Sequence, residues 1–100
     1  MTVKTTPFDP ADYLETIEDI AAYLNSALED GDAAAVADAL GVIARAKGMS
    51  ELARKTGLTR ASLYRSLSES GNPEFVTVNK VIRALGLKIA IEPAPDPAAA

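Results

Sequence analysis

The sequence predicts an all-α protein: a five-helix bundle built around a helix-turn-helix, closed by one short C-terminal β-strand. Three observations carry this reading. Apolar residues recur at three- and four-residue intervals over most of the chain. Capping residues and glycines break that pattern into helices over 10–29, 33–47, 50–56, 60–68 and 73–85. Only residues 87–92, LKIAIE, change to strand alternation, with Leu87, Ile89 and Ile91 on one side.

The first eight residues, MTVKTTPF, read as an extended arm that ends on the aromatic Phe8. Asp9-Pro10 then reads as a helix start, because Asp caps and Pro suits the first helical position. The helix that follows has an apolar stripe of Tyr13, Leu14, Ile17, Ile20, Ala21, Leu24, Ala27 and Leu28, with acidic residues over the remainder. Gly31 ends it and Asp32 caps the second helix, whose inner face is Val36, Leu40, Ile43 and Ala44. Gly41 in mid-helix costs about 1 kcal/mol relative to Ala, and marks close packing rather than a ligand site. Lys47 and Gly48 form a favourable ending, a cation near the C-terminus and then Gly.

Residues 49–68, MSELARKTGLTRASLYRSLS, are the centre of the chain. Ser50 is read as a cap, Leu52 and Ala53 as inward, and Gly57 as the left-handed turn residue. Thr59 caps the next helix, which Leu63 and Leu67 hold down. At about 100° per residue, Ala61 and Arg65 fall opposite those leucines, with Ser62 and Tyr64 on the flanks. Arg60 sits in the first turn. Helix, Gly-containing turn and helix is the arrangement whose second helix enters the DNA major groove. No acidic residue occurs from Lys55 to Ser68; a solvated helical hairpin, the alternative, would mix signs. After Gly71, Asn72-Pro73 repeats the cap-then-Pro signal, and Phe75, Val78, Val81, Ile82 and Leu85 form the buried face of the last helix, with Thr77 and Lys80 on other faces.

Composition limits the chemistry. One hundred residues suit one domain with a modest core. The chain has no Cys and no His, which removes disulfides, thiolate nucleophiles, imidazole catalysis and the usual zinc sites. It has no Gly-rich phosphate loop, so neither an enzyme nor a metal or cofactor site is expected. No apolar run approaches the roughly 20 residues of a membrane span, and no signal-peptide core opens the chain; a cytoplasmic protein without a membrane partner is expected. The net charge of −4 divides unevenly: residues 1–41 sum to −8, residues 42–92 to +5, and Asp96 adds −1. An acidic front and a basic back predict partners of opposite charge. The expected layout is an arm and acidic helix (1–31), a DNA-binding unit (32–86), the strand (87–92) and a disordered Pro/Ala tail (93–100).

Three stretches carry a family resemblance: TTPFDPADYL (5–14) with EDIAAYL (18–24), ALGVIARAKGMSELARKTGLTRASLYRSLS (39–68) and GNPEFVTVNKVIRALGLKI (71–89). With them the chain resembles the HigA-type antitoxins, also called addiction-module antidote proteins, which carry a phage-repressor-like (XRE/Cro) helix-turn-helix of lambda-repressor type. The resemblance implies a small basic toxin partner similar to RelE or ParE, and repression of the shared promoter on double-stranded operator DNA. It places Thr59, Arg60, Ala61, Ser62 and Arg65 on the DNA-reading helix; Tyr64, Lys55, Thr77 and Lys80 complete the expected DNA surface. The expected toxin-binding residues are Phe8, Tyr13, Ile17, Ile20 and Leu24, as a clamp; the competing reading is that this stripe packs on the second helix. A homodimer is expected, held by Leu87, Ile89 and Ile91. The alternative function is a stand-alone phage-type repressor with no toxin partner.

Overall fold

The computed structural model describes residues 13–95, and among these residues there are five helices and no strand. They are α1 (Ile17–Asp30), α2 (Ala33–Lys47), α3 (Met49–Thr56), α4 (Arg60–Ser66) and α5 (Phe75–Ala84). None is long and apolar enough to cross a membrane.

α1 starts later than its apolar stripe suggests. Thr16 is extended and its hydroxyl accepts from the Asp19 N–H at 3.0 Å, while the Asp19 carboxylate accepts from the Thr16 and Glu15 N–H groups at 3.0 and 3.1 Å. This reciprocal capping box satisfies donors that the helix leaves free. Tyr13 and Leu14 therefore precede the helix, and the Asp9-Pro10 start lies outside the described residues. α2 occupies the expected span, with Asp32 accepting from the Ala34 N–H at 3.0 Å.

α3 follows α2 through Gly48 alone, at φ 109°. That single-residue corner leaves Ser50 inside the first turn instead of at the cap, and Gly48 supplies no side-chain cap. α4 is capped as expected by Thr59, which accepts from the Ser62 N–H at 3.0 Å, but it ends at Ser66, with Leu67 as its C-cap. The Asn72-Pro73 pair makes a turn, not a helix start. Asn72 is left-handed at φ 51°, and α5 opens two residues later behind an extended Glu74. The shift leaves Phe75 70% exposed, against its expected burial.

The expected strand over 87–92 does not form. Leu87 instead folds back, donating its N–H to the Ile82 carbonyl at 3.0 Å and packing against the core. Ile89 and Ile91 point outward. A strand needs a neighbouring backbone to pair with, and the described residues supply none; alternation in six residues is too short a pattern to impose one.

One core joins the elements. Ile20 and Leu24 of α1 belong to the same cluster as Leu40, Ile43, Leu63, Leu67 and Val81. α1 packs on α2, α2 reaches α3 and α4, and α3 touches both α4 and α5. Gly41 is where α2 meets the end of α4: a Cβ there would run into the Leu67 carbonyl oxygen. Close packing is thus the reason for that glycine.

Candidate nucleic-acid interface

The turn between α3 and α4 is fixed before any side chain is presented. Gly57 takes the left-handed conformation at φ 77°. Thr56 donates its hydroxyl to the Leu52 carbonyl at 2.8 Å and accepts from the Leu58 N–H at 3.2 Å. The hydroxyl thus ties the last turn of α3 to the first residue after Gly57. Sequence reasoning missed Thr56; a Thr just before the turn glycine, able to bond a carbonyl one turn back, was the signal.

Leu63 and Leu67 are fully buried, and they orient α4. Arg60, Ala61, Tyr64 and Arg65 are exposed and Ser62 is half-buried, the arrangement that the 100° spacing predicted. The Arg60 guanidinium lies over the Tyr64 ring, 5.8 Å from its centre, so the pair presents one cationic, aromatic surface. Arg65 stands a turn further along the helix. Neither arginine is paired with a carboxylate among the described residues.

The cations of α3 are different. Glu51 is bonded to Arg54 and lies 3.8 Å from Lys55. The hydrogen bond and charge of Arg54 hold the Glu51 carboxyl below its ordinary range, with Lys55 adding to the effect. Lys55 and Lys80, both expected at the DNA surface, line one shallow cleft with Thr56, Asn79 and Arg83. Arg83 was not foreseen; its place one turn after Lys80 on α5 was the available signal. Thr77 is half-buried on the same helix.

The expected toxin-facing residues separate. Ile20 is 1% exposed and Leu24 is buried beside it, so both are core. Tyr13 and Ile17 remain 59% and 43% exposed, and Leu28 joins them at the other end of α1. Phe8 lies outside the described residues. Of the expected dimer residues, Leu87 packs inward while Ile89 and Ile91 are exposed. No group of acidic residues among the described ones is arranged to hold a metal ion.

Comparison with known proteins covers nearly the whole chain. A model of the family described as "Probable addiction module antidote protein" matches residues 4–93. A protein of Haemophilus influenzae, described only as uncharacterized, is 44% identical over 92 residues, which is 92% of this chain and 95% of that one. No solved structure matches the chain.

Proposed function

The chain belongs to the family of probable addiction module antidote proteins, and from that membership we propose that it is the antitoxin of a type II toxin–antitoxin module. It binds and neutralises a small basic toxin of RelE or ParE kind, and represses its own operon by binding operator DNA.

The observation that supports DNA binding is α4. Two arginines without carboxylate partners among the described residues project from a short helix that two buried leucines hold rigidly. Such a helix fits the major groove. Arg65 and Arg60 can each offer two donors to a guanine edge, and Ala61 offers a methyl group to the thymine methyl. Lys55, Lys80 and Arg83 supply the sequence-independent attraction to phosphates. The helix pair is then a helix-turn-helix of lambda-repressor type.

The toxin face is assigned to the exposed side of α1. Tyr13, Ile17 and Leu28 stay at the surface among Glu15, Glu18, Glu29 and Asp30. Apolar anchors with an acidic surround suit a basic partner, since the charges speed encounter and the anchors slow release. Ile20 and Leu24 serve this face from behind, by fixing α1 on α2.

Co-expression with the neighbouring reading frame tests the proposal. A short basic frame that stops growth alone, and not beside this chain, is the expected result. Absence of such a frame would leave a stand-alone repressor. Titration of the upstream DNA and a scrambled duplex at several salt concentrations tests the other half; equal affinity for both would exclude operator recognition.

A further inference from the structure

The basic face leaves another part of the bundle unexplained. Between the first turns of α2 and the loop after α4 runs a groove of about 360 Å³, floored by Ala34, Ala37, Leu40, Pro73 and Val78. Small alanines on α2 leave room there that larger side chains would fill. The loop forming the far wall is fixed, because a Cβ on Gly71 would run into the Ser66 carbonyl oxygen. The groove is therefore preformed. Glu69 stands at its edge and also lines a second cleft, of about 290 Å³, which continues between α1 and α2 past Asp30, Asp32 and Asp38. No lysine or arginine lines either of them. Asp32 accepts from the Ala34 N–H. Asp30, Asp38 and Glu69 are exposed and in no ion pair among the described residues. An apolar trough thus passes into an acidic one.

We propose that the groove seats a cationic amphipathic helix of the toxin, with its apolar side chains over Ala37 and Val78 and its lysines or arginines along Glu69, Asp38 and Asp30. The inference rests on the antitoxin reading and deepens it: to the face on α1 it adds a second toxin contact, on α2 and the loop between α4 and α5. Charge selects this occupant. A nucleic acid would bring phosphates against three unpaired carboxylates. An anionic or purely apolar peptide would leave those carboxylates without a counter-charge, and a purely cationic one would leave the apolar floor in water. Size sets the form. A groove of this volume admits only a few side chains, and a helix delivers them in one row, at i, i+3, i+4 and i+7. Its adjoining face then carries the cations to the acidic cleft. Phe75 and Val76, 70% and 55% exposed on the first turn of α5, follow closely on Pro73 and extend the apolar surface.

Fluorescence anisotropy on the full chain tests the groove with a labelled helical peptide of about 14 residues, four turns, with leucines on one face and lysines on the other. The same peptide with glutamate for lysine is the control. Binding of the Leu/Lys peptide alone is expected. Asp38→Lys with Glu69→Lys should weaken it about tenfold or more with unchanged helicity, since both side chains are exposed. Ala34→Gln, which puts a polar side chain into the groove, should weaken it too. Glu15→Lys with Glu18→Lys makes the same change in net charge at the other end of α1 from Asp30, and should leave peptide binding nearly unchanged. A peptide that binds wild type and both charge variants alike overturns the proposal. So does one that fails to bind because residues 1–12 or a second copy already fill the groove. Co-expression with the toxin separates this inference from the reading beneath it. There Asp38→Lys with Glu69→Lys should impair neutralisation. Full neutralisation by that variant removes the groove and leaves the antitoxin standing; a wild-type chain that neutralises no toxin removes the antitoxin reading, and the occupant with it.

Discussion

Single residues here do separable jobs, and three of them can be tested alone. Arg65 projects from α4 with no carboxylate among the described residues to neutralise it. Arg65→Ala should cost about 1–3 kcal/mol on the operator and much less on a scrambled duplex, if it reads a guanine; equal losses on both would reduce it to a phosphate ligand. Asp19 illustrates a charge working through the backbone. Hydrogen bonds from the Thr16 and Glu15 N–H groups hold its carboxyl below the ordinary value. A folded-state pKa that is lowered gives stability that is fully present above the unfolded value of about 3.9 and lost as pH falls through the folded one. Asp19→Ala should therefore melt earlier than wild type at neutral pH, and the gap should close in acid, below about pH 4. A gap independent of pH would mean that the carboxylate is not the stabilising group. At Gly41, any side chain meets the Leu67 backbone, and overpacking of this kind costs about 1–3 kcal/mol. Gly41→Ala should lower the melting temperature and, by displacing the end of α4, weaken DNA binding as well.

At the scale of elements, legibility depended on whether the signal was local. α2 and the start of α4 could be read because Asp32, Gly48 and Thr59 act on backbone within a few residues of themselves. The start of α1 was legible in principle, as Thr16 followed three residues later by Asp19, but the longer apolar stripe and Asp9-Pro10 drew the boundary forward. The same cap-then-Pro pair failed at Asn72-Pro73, because a left-handed Asn there makes a turn, and nothing in the dipeptide distinguishes the two outcomes. The strand failed for a non-local reason: pairing needs a second backbone, which the alternation of Leu87, Ile89 and Ile91 cannot provide. The exposed face of α4 was visible from periodicity. The pairing of Glu51 with Arg54 and Lys55 is local to α3, at i,i+3 and i,i+4, whereas the sharing of one cleft by Lys55 and Arg83 required the tertiary arrangement. α1 shows both limits. Its stripe gave the right residues but not which side of the stripe stays wet. Ile20→Ala should cost about 2–5 kcal/mol as a core truncation, whereas Ile17→Ala with Leu28→Ala, both exposed, should cost much less and lower toxin affinity. Unaltered toxin binding in that double variant would remove α1 from the toxin interface.

For the whole molecule, the charge division has a consequence beyond its two halves. Residues 1–41 sum to −8 and residues 42–92 to +5, and α1 shares one core with the basic helices. The acidic helix is therefore held at a fixed place on the same small body as the proposed DNA-reading face. Phosphates approaching that face in the wrong orientation meet Glu15, Glu18 and Asp30, all exposed. Repulsion of this kind suppresses binding that the cations alone would permit. If α4 reads DNA as proposed, the seated complex avoids this penalty wherever α1 lies off the duplex. Replacing Glu18 and Asp30 by Gln and Asn removes charge without touching the Asp19 cap or the core. The variant should bind a scrambled duplex more tightly than wild type does, while operator affinity changes little, so that the ratio between them falls. Exposed charges act at a distance only within the Debye length, about 10 Å at 0.1 M salt. The difference should accordingly be largest at low ionic strength and fade as salt is added. Lys80→Ala should do the opposite, lowering both affinities together and reducing the salt slope by about 0.9, because one phosphate fewer is neutralised. A scrambled-duplex affinity that does not respond to the loss of Glu18 and Asp30 would show that the acidic half serves the toxin face alone.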